Sequence, residues 1–92
     1  MNNDYLGKVV YSKAGRDKEN CFIIIDVIDE NYVYISDGRL RSIEKPKKKK
    51  LKHLSVTKIV SDEIKNDIIL KKQVNNATVR NFLQSVCTNK EV

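Results

Sequence analysis

Between Arg39 and His53 the chain sets 8 cations (Arg39, Arg41, Lys45, Lys47, Lys48, Lys49, Lys50 and Lys52) against one acid, Glu44. This segment carries +7, while the remaining residues, with 10 basic and 11 acidic side chains, carry −1. The net charge of +6 is therefore concentrated in one stretch. Each lysine is a mobile point charge that pairs with a phosphate and releases condensed counterions. A polyanion is the natural partner for such a field. Taken alone, four consecutive lysines also describe a solvated loop, an import signal or a patch for acidic lipids. No amphipathic apolar face adjoins the run, so a membrane is a poor partner. His53 closes the segment, and the contact expected of it is solvent, phosphate or a backbone carbonyl.

Catalytic chemistry has little to draw on. His53 is the one histidine, and no Asp, Glu or Cys stands at a spacing that would make it a general base or a metal ligand. Asp26, Asp29 and Glu30 flank a turn, where solubility and turn geometry account for them. Gly7, Gly15 and Gly38 are too dispersed for a phosphate-cradling loop. The expectation is a protein that is not an enzyme, with no catalytic residues, no metal and no cofactor. Cys21 opens an apolar run and Cys87 follows an apolar helical stripe, so both are expected as buried free thiols. A disulfide between them is open, but nothing points to an oxidising compartment.

The elements that must position the cations follow from the pattern of apolar residues. At 92 residues with 33% charged side chains of both signs, the chain has room for one small domain and a short appendage. Gly7–Ser12 is rich in β-formers and reads as a first strand. Lys13–Asn20 reads as a polar loop around Gly15, with Lys13, Arg16 and Lys18 as a second, smaller basic set. Cys21–Ile28 is a second strand whose odd positions, Cys21, Ile23, Ile25 and Val27, form the inward face. Asp29-Glu30-Asn31 suits a hairpin loop, with Asn31 tolerating a left-handed backbone. Tyr32–Ser36 is a third strand, with Val33 and Ile35 on one face and Tyr32 and Tyr34 on the other. Exposed tyrosines beside cations can stack on unpaired bases. The plainer expectation is that they cover the barrel or pack under a C-terminal helix. Asp37-Gly38 is a turn signal, and Arg39–Glu44 reads as a short fourth strand ended by Pro46. Lys47–His53 then reads as an extended connection, and Leu54–Val60 as a fifth strand. About five short strands in sixty residues suggest a small barrel.

After Val60 the period changes. Ser61 is placed to cap a helix whose first turn holds Asp62 and Glu63, where the helix dipole favours acids. Ile64, Ile68 and Ile69 make its apolar stripe. Val74-Asn75-Asn76 reads as a break, with Asn76 as the cap of a second helix carrying Val79, Phe82, Leu83 and Val86 at i, i+3, i+4, i+7. Met1–Tyr5 lacks the basic and apolar regions of a signal peptide, and the longest apolar run, Phe22–Ile25, is too short to span a bilayer. A cytoplasmic protein is expected.

One stretch has a wider likeness. Gly7-Lys8-Val9-Val10-Tyr11-Ser12-Lys13-Ala14-Gly15-Arg16-Asp17-Lys18, followed by Cys21–Ile28, resembles a KOW motif, which alternates apolar and polar residues around a central glycine, here Gly15. Ile25–Val33 and Lys52-His53-Leu54 look like KOW-bearing large-subunit ribosomal proteins of archaea and eukaryotes. Asp37-Gly38 and the basic stretch through Lys50 are similar to small bacterial KOW-domain proteins described as RNA-binding. The resemblance covers roughly residues 7–60. It departs from many KOW motifs at Glu19-Asn20, where those carry a glycine. Asn replaces glycine in turns readily, but Glu19 adds a negative charge to the loop.

The resemblance implies a mainly β fold: a small SH3-like (KOW-type) β-barrel of about five strands over residues 1–60, with a basic loop at 39–53. Two short helices over residues 61–92 would pack on it. It implies a non-catalytic RNA-binding protein, ribosome- or rRNA-associated. The candidate RNA-facing residues are Lys13, Gly15, Arg16 and Lys18 in the first loop, and Arg39, Arg41, Lys45, Lys47, Lys48, Lys49, Lys50, Lys52 and His53 in the basic segment. Ribosomal proteins, or another protein held by the C-terminal helices, are further partners. The alternative is a protein-interaction module docking on the transcription or translation machinery.

Overall fold

The computed structural model describes residues 3–13 and 20–87. Five strands form one antiparallel sheet: β1 (Lys8–Ser12), β2 (Cys21–Val27), β3 (Tyr32–Ser36), β4 (Lys47–Lys50) and β5 (Leu54–Val60). Two helices follow, α1 (Asp62–Ile69) and α2 (Asn76–Val86). The strand order across the sheet is β4-β3-β2-β1-β5. The two edge strands are thus neighbours in the chain, joined only by a 3-10 turn at Leu51–His53. A connection this short forces the sheet to curl until its edges approach, which gives the barrel-like shape. Two hydrogen bonds anchor this turn, one at each end. The Leu51 N–H donates to the Asn31 carbonyl at 2.8 Å, and the Lys13 N–H donates to the His53 carbonyl at 2.9 Å.

The curled sheet buries apolar residues on both sides. Inside lie Leu6, Val10, Phe22, Ile24, Val27, Val33, Ile35 and Leu54. Outside, Val9 and Ile23 pack with Ile64 of α1 and with Val79, Leu83 and Cys87 of and beyond α2. β1 and β2 are covered on both faces, which is why Val9-Val10 and Phe22-Ile23-Ile24 read as unbroken apolar runs. The inward face expected for the odd positions of β2 therefore divides. Cys21, Ile23 and Ile25 meet the helix layer, whereas Phe22 and Ile24 fill the barrel. Val27 joins the barrel interior because the β2–β3 register slips between Ile24↔Ile35 and Asp26↔Tyr34. One extra residue there reverses the alternation.

The expected strand at Arg39–Glu44 is not formed. Side-chain polar groups hold its backbone in turns instead. The Asp37 carboxylate takes the N–H of Arg39 at 2.8 Å and of Arg41 at 3.0 Å. The Ser36 hydroxyl donates to the Arg41 carbonyl at 2.7 Å. The fourth strand is the lysine run itself, paired with β3 through Tyr32↔Lys50, Val33↔Lys49, Tyr34↔Lys48 and Ile35↔Lys47. The stretch 39–53 is accordingly a turn, a strand and a 3-10 turn rather than one basic loop. Pro46 precedes the strand, where its missing N–H costs no ladder bond.

The β2–β3 hairpin is also organised differently from expectation. Among the described non-glycine residues only Lys71 has a positive φ, so Asn31 is not left-handed. The Asp29 carboxylate shapes the turn by accepting the N–H of Asn31 and Tyr32 at 2.8 and 2.9 Å.

Ser61 caps α1 as expected, accepting the Ile64 N–H at 3.2 Å. Asn75, not Asn76, caps α2, accepting the Thr78 N–H at 2.8 Å. Asn76 is released for another task described below. Cys21 and Cys87 are not free thiols: they form a disulfide that ties the start of β2 to the end of α2. Folding brings their Cα atoms to 6.7 Å across 66 residues of sequence, a proximity that no local spacing encodes. No helix of the described residues is long and apolar enough to cross a membrane.

Candidate nucleic-acid interface

The alternation of a strand decides what four lysines in a row can do. Residues paired directly across an antiparallel ladder project from the same face. Lys48 and Lys50 therefore share a face with Tyr34 and Tyr32, while Lys47 and Lys49 share one with Ile35 and Val33, whose side chains fill the barrel. The run is split two and two. Lys47 and Lys49 are half-buried on this barrel-side face of the edge strand. Inward-facing charges on an edge strand also discourage pairing with another chain.

On the other face the cations meet an aromatic ring. The Lys48 Nζ lies 4.7 Å from the centroid of the Tyr32 ring, and the Lys50 Nζ lies 5.7 Å from it. Both distances fall within cation–π range. Tyr32 and Tyr34 are half-buried, and neither belongs to the packed clusters of described residues inside the barrel or under the helices. The helices pack chiefly on β2, and Tyr32, Tyr34, Lys48 and Lys50 share the outer face of β3 and β4. Asp26 is paired with Tyr34 and is exposed, so a carboxylate bounds the patch on its β2 side.

The remaining basic residues fall into two places. Lys13, Lys52 and His53 are exposed at the barrel closure, brought together by the hydrogen bond from Lys13 to His53. Arg39 and Lys45 are exposed on the turns between β3 and β4, and Arg41 is half-buried there. Leu40, at the tip between the two arginines, is 91% exposed. Gly15, Arg16 and Lys18 lie outside the described residues. The segment thus contributes a sheet face, an edge and two flanking clusters, not one continuous basic ribbon.

The turns are braced from α2, a role the sequence did not reveal. The Asn76 side chain accepts the Ile43 N–H at 2.7 Å and donates to the Glu44 carboxylate at 2.9 Å. Chiefly because of that bond from Asn76, and next its own backbone N–H, the Glu44 carboxyl is held below the usual glutamate range. Arg80 donates to the Gly38 carbonyl at 2.9 Å. Gly38 has φ +74°, and a Cβ there would stand 2.5 Å from the Asn76 carbonyl oxygen. The only sequence signal for this contact was the Asp37-Gly38 turn itself.

Among the described residues no three His, Cys, Asp or Glu side chains gather as a metal site. What the arrangement offers is point charges for phosphates next to a ring able to stack. No protein-family model and no curated protein matches this sequence. The KOW resemblance rests on the residues that carry it.

Proposed function

We propose that this chain is a non-catalytic, cytoplasmic RNA-binding protein of KOW type, associated with the ribosome or rRNA. The observation that carries the reading is the interleaving of Lys48 and Lys50 with the Tyr32 ring on an open sheet face. Cations neutralise the backbone without regard to sequence, and an aromatic ring takes an unpaired base. Together they suit RNA with splayed nucleotides better than a regular duplex, whose bases are not free to stack. The closure cluster of Lys13, Lys52 and His53 adds charge beside the first loop, which the KOW resemblance implicates. The curled five-stranded sheet agrees with the barrel implied by that resemblance.

The second reading, a module that docks on protein of the transcription or translation machinery, draws on β5. Val56 and Ile59 are exposed on this edge strand, and an open edge can pair with another chain.

Filter binding to rRNA at several salt concentrations tests the first reading. Neutralising Lys47, Lys48, Lys49 and Lys50 together should weaken binding and flatten its salt dependence. Unchanged affinity and slope would remove the run from the interface. Crosslinking in cells with and without RNase separates the two readings, because partners that survive RNase are held by protein.

A further inference from the structure

The disulfide does not lie sealed in the core. Cys21 and Cys87 line an open cleft of about 340 Å³, together with Arg39, Arg80 and Leu83, within the range of small-molecule sites. Cys21 is half-buried and Cys87 is 8% exposed, so Cys21 is the more exposed of the two residues. Arg80 is held at the wall by its bond to the Gly38 carbonyl, and Arg39 is exposed at the rim. Asp37 also lines the cleft, with its carboxylate engaged by the Arg39 and Arg41 N–H groups. Among the described lining residues, two guanidinium groups stand against one carboxylate, a net positive set. Positive surroundings stabilise a thiolate and attract an anionic reactant.

We propose that this cleft is a thiol–disulfide exchange site for a small anionic thiol of the glutathione class. Reduction starts when the thiolate of that molecule attacks Cys21 Sγ. The bond between the two protein sulfurs breaks, and its electron pair goes to Cys87 Sγ, which then takes a proton from water. A second thiolate attacks the small-molecule sulfur of the mixed disulfide at Cys21. It leaves as the oxidised dimer, and Cys21 departs as a thiolate that is protonated in turn. Two electrons have entered the protein, and two small thiols have become one disulfide. The reverse sequence reoxidises the pair, with the small disulfide as oxidant.

The position of the bond gives the exchange a structural consequence. It closes 66 residues of chain and joins β2, just after the first loop, to the last turn of α2. Toward its other end α2 is held independently, by the bonds of Asn76 to the Ile43 N–H and of Arg80 to the Gly38 carbonyl. Reduction therefore frees the C-terminal end of α2 and leaves its N-terminal end docked. Removing the cross-link should lower the melting temperature by about 10 °C or more.

The test uses the full chain. After reduction and desalting, its thiols are reacted with an aromatic disulfide bearing two carboxylates and, separately, with a neutral dipyridyl disulfide. The ratio of the two rates, each corrected for the same pair reacting with a free small thiol, should exceed one. It should fall about tenfold in Arg39→Glu, an exposed substitution that spares the fold. In parallel, glutathione disulfide should return the reduced chain to the internally bridged form, read by mass spectrometry and by the rise in melting temperature. A rate ratio unmoved by Arg39→Glu would overturn the anionic reactant. Failure of the bridge to re-form, with only glutathione adducts or free thiols left, would overturn the exchange site.

Discussion

The Lys48 ammonium stands 4.7 Å from the centre of the Tyr32 ring, with Lys50 on the same ring at 5.7 Å. This follows from the β3–β4 register, which sets Lys50 opposite Tyr32 and Lys48 one pleat repeat along the same face. A cation beside a ring stabilises the sheet face only modestly. On the proposed function, it also stations charge beside the ring on which a base would stack. If RNA uses this face, Tyr32→Ala should weaken binding to single-stranded RNA about tenfold, within the range for one base–aromatic stack. Tyr32→Phe should bind nearly as wild type. Fluorescence anisotropy on a labelled oligonucleotide distinguishes these outcomes, and equal loss in both variants would point away from stacking.

The split of the lysine run makes a sharper prediction than its charge does. Replacing Lys48 and Lys50 by Gln should reduce the salt slope by about 1.4, the value for two phosphates of a single strand. The same exchange at Lys47 and Lys49, on the barrel-edge face, should reduce it by less than half as much. Equal slopes for the two double variants, measured in one salt series, would mean that strand alternation does not govern contact.

Asp26 bounds the same face from β2 and is exposed. Its carboxylate repels an incoming phosphate, so Asp26→Asn should tighten RNA binding by about twofold to fivefold at low salt. The gain should fade as salt screens the charge. A titration at low and high ionic strength checks both parts.

Asn76 bonds two residues on the turns before β4. Asn76→Ala leaves the Ile43 N–H without its partner and should cost about 1–2 kcal/mol. For a domain of this size that lowers the melting temperature by about 4–15 °C. The bond to Glu44 adds a pH term of definite sign. Because the folded-state pKa is lowered, the unfolded chain binds the proton more readily. The stabilisation is present above the ordinary glutamate range and is lost as pH falls through the depressed value. Thermal melts from neutral to acidic pH should show this component in wild type and its loss in Glu44→Gln.

Gly38→Ala should be more damaging than its size suggests. The backbone there has φ +74°, and the added Cβ would meet the Asn76 carbonyl oxygen at 2.5 Å. The left-handed conformation alone costs an L-residue about 1–2 kcal/mol, and moving α2 away adds to it. A melting temperature lowered by more than about 10 °C is expected.

Much of the fold was legible because periodicity is local. The first, second, third and fifth strands, the Ser61 cap and the 79, 82, 83, 86 stripe of α2 all follow from alternation or helical spacing. The lysine run was misplaced for a physical reason. Four identical charges carry no alternation, and like-charge repulsion argues for an extended connection. What makes them a strand is a ladder to Tyr32–Ile35, supplied by residues before a long turn. Arg39–Glu44 had the better strand composition, but Asp37, Ser36 and Asn76 capture its backbone, and one of those captors lies 33 residues away from Ile43.

By itself, then, the sequence determined where the positive charge is concentrated, that the strands precede the helices, and the apolar stripe of α2, whereas of the stripe expected for α1 only Ile64 and Ile68 pack and Ile69 is exposed. Composition and short-range spacing settle these. Tertiary structure alone decided that the lysines divide between two faces, that two of them share the ring of Tyr32, and that Cys21 meets Cys87 in an open cleft beside two arginines. Those depend on register, on a curled sheet and on helices packed back onto it. Each is a relation between residues far apart in the chain, and its energy exists only once the intervening segments have folded.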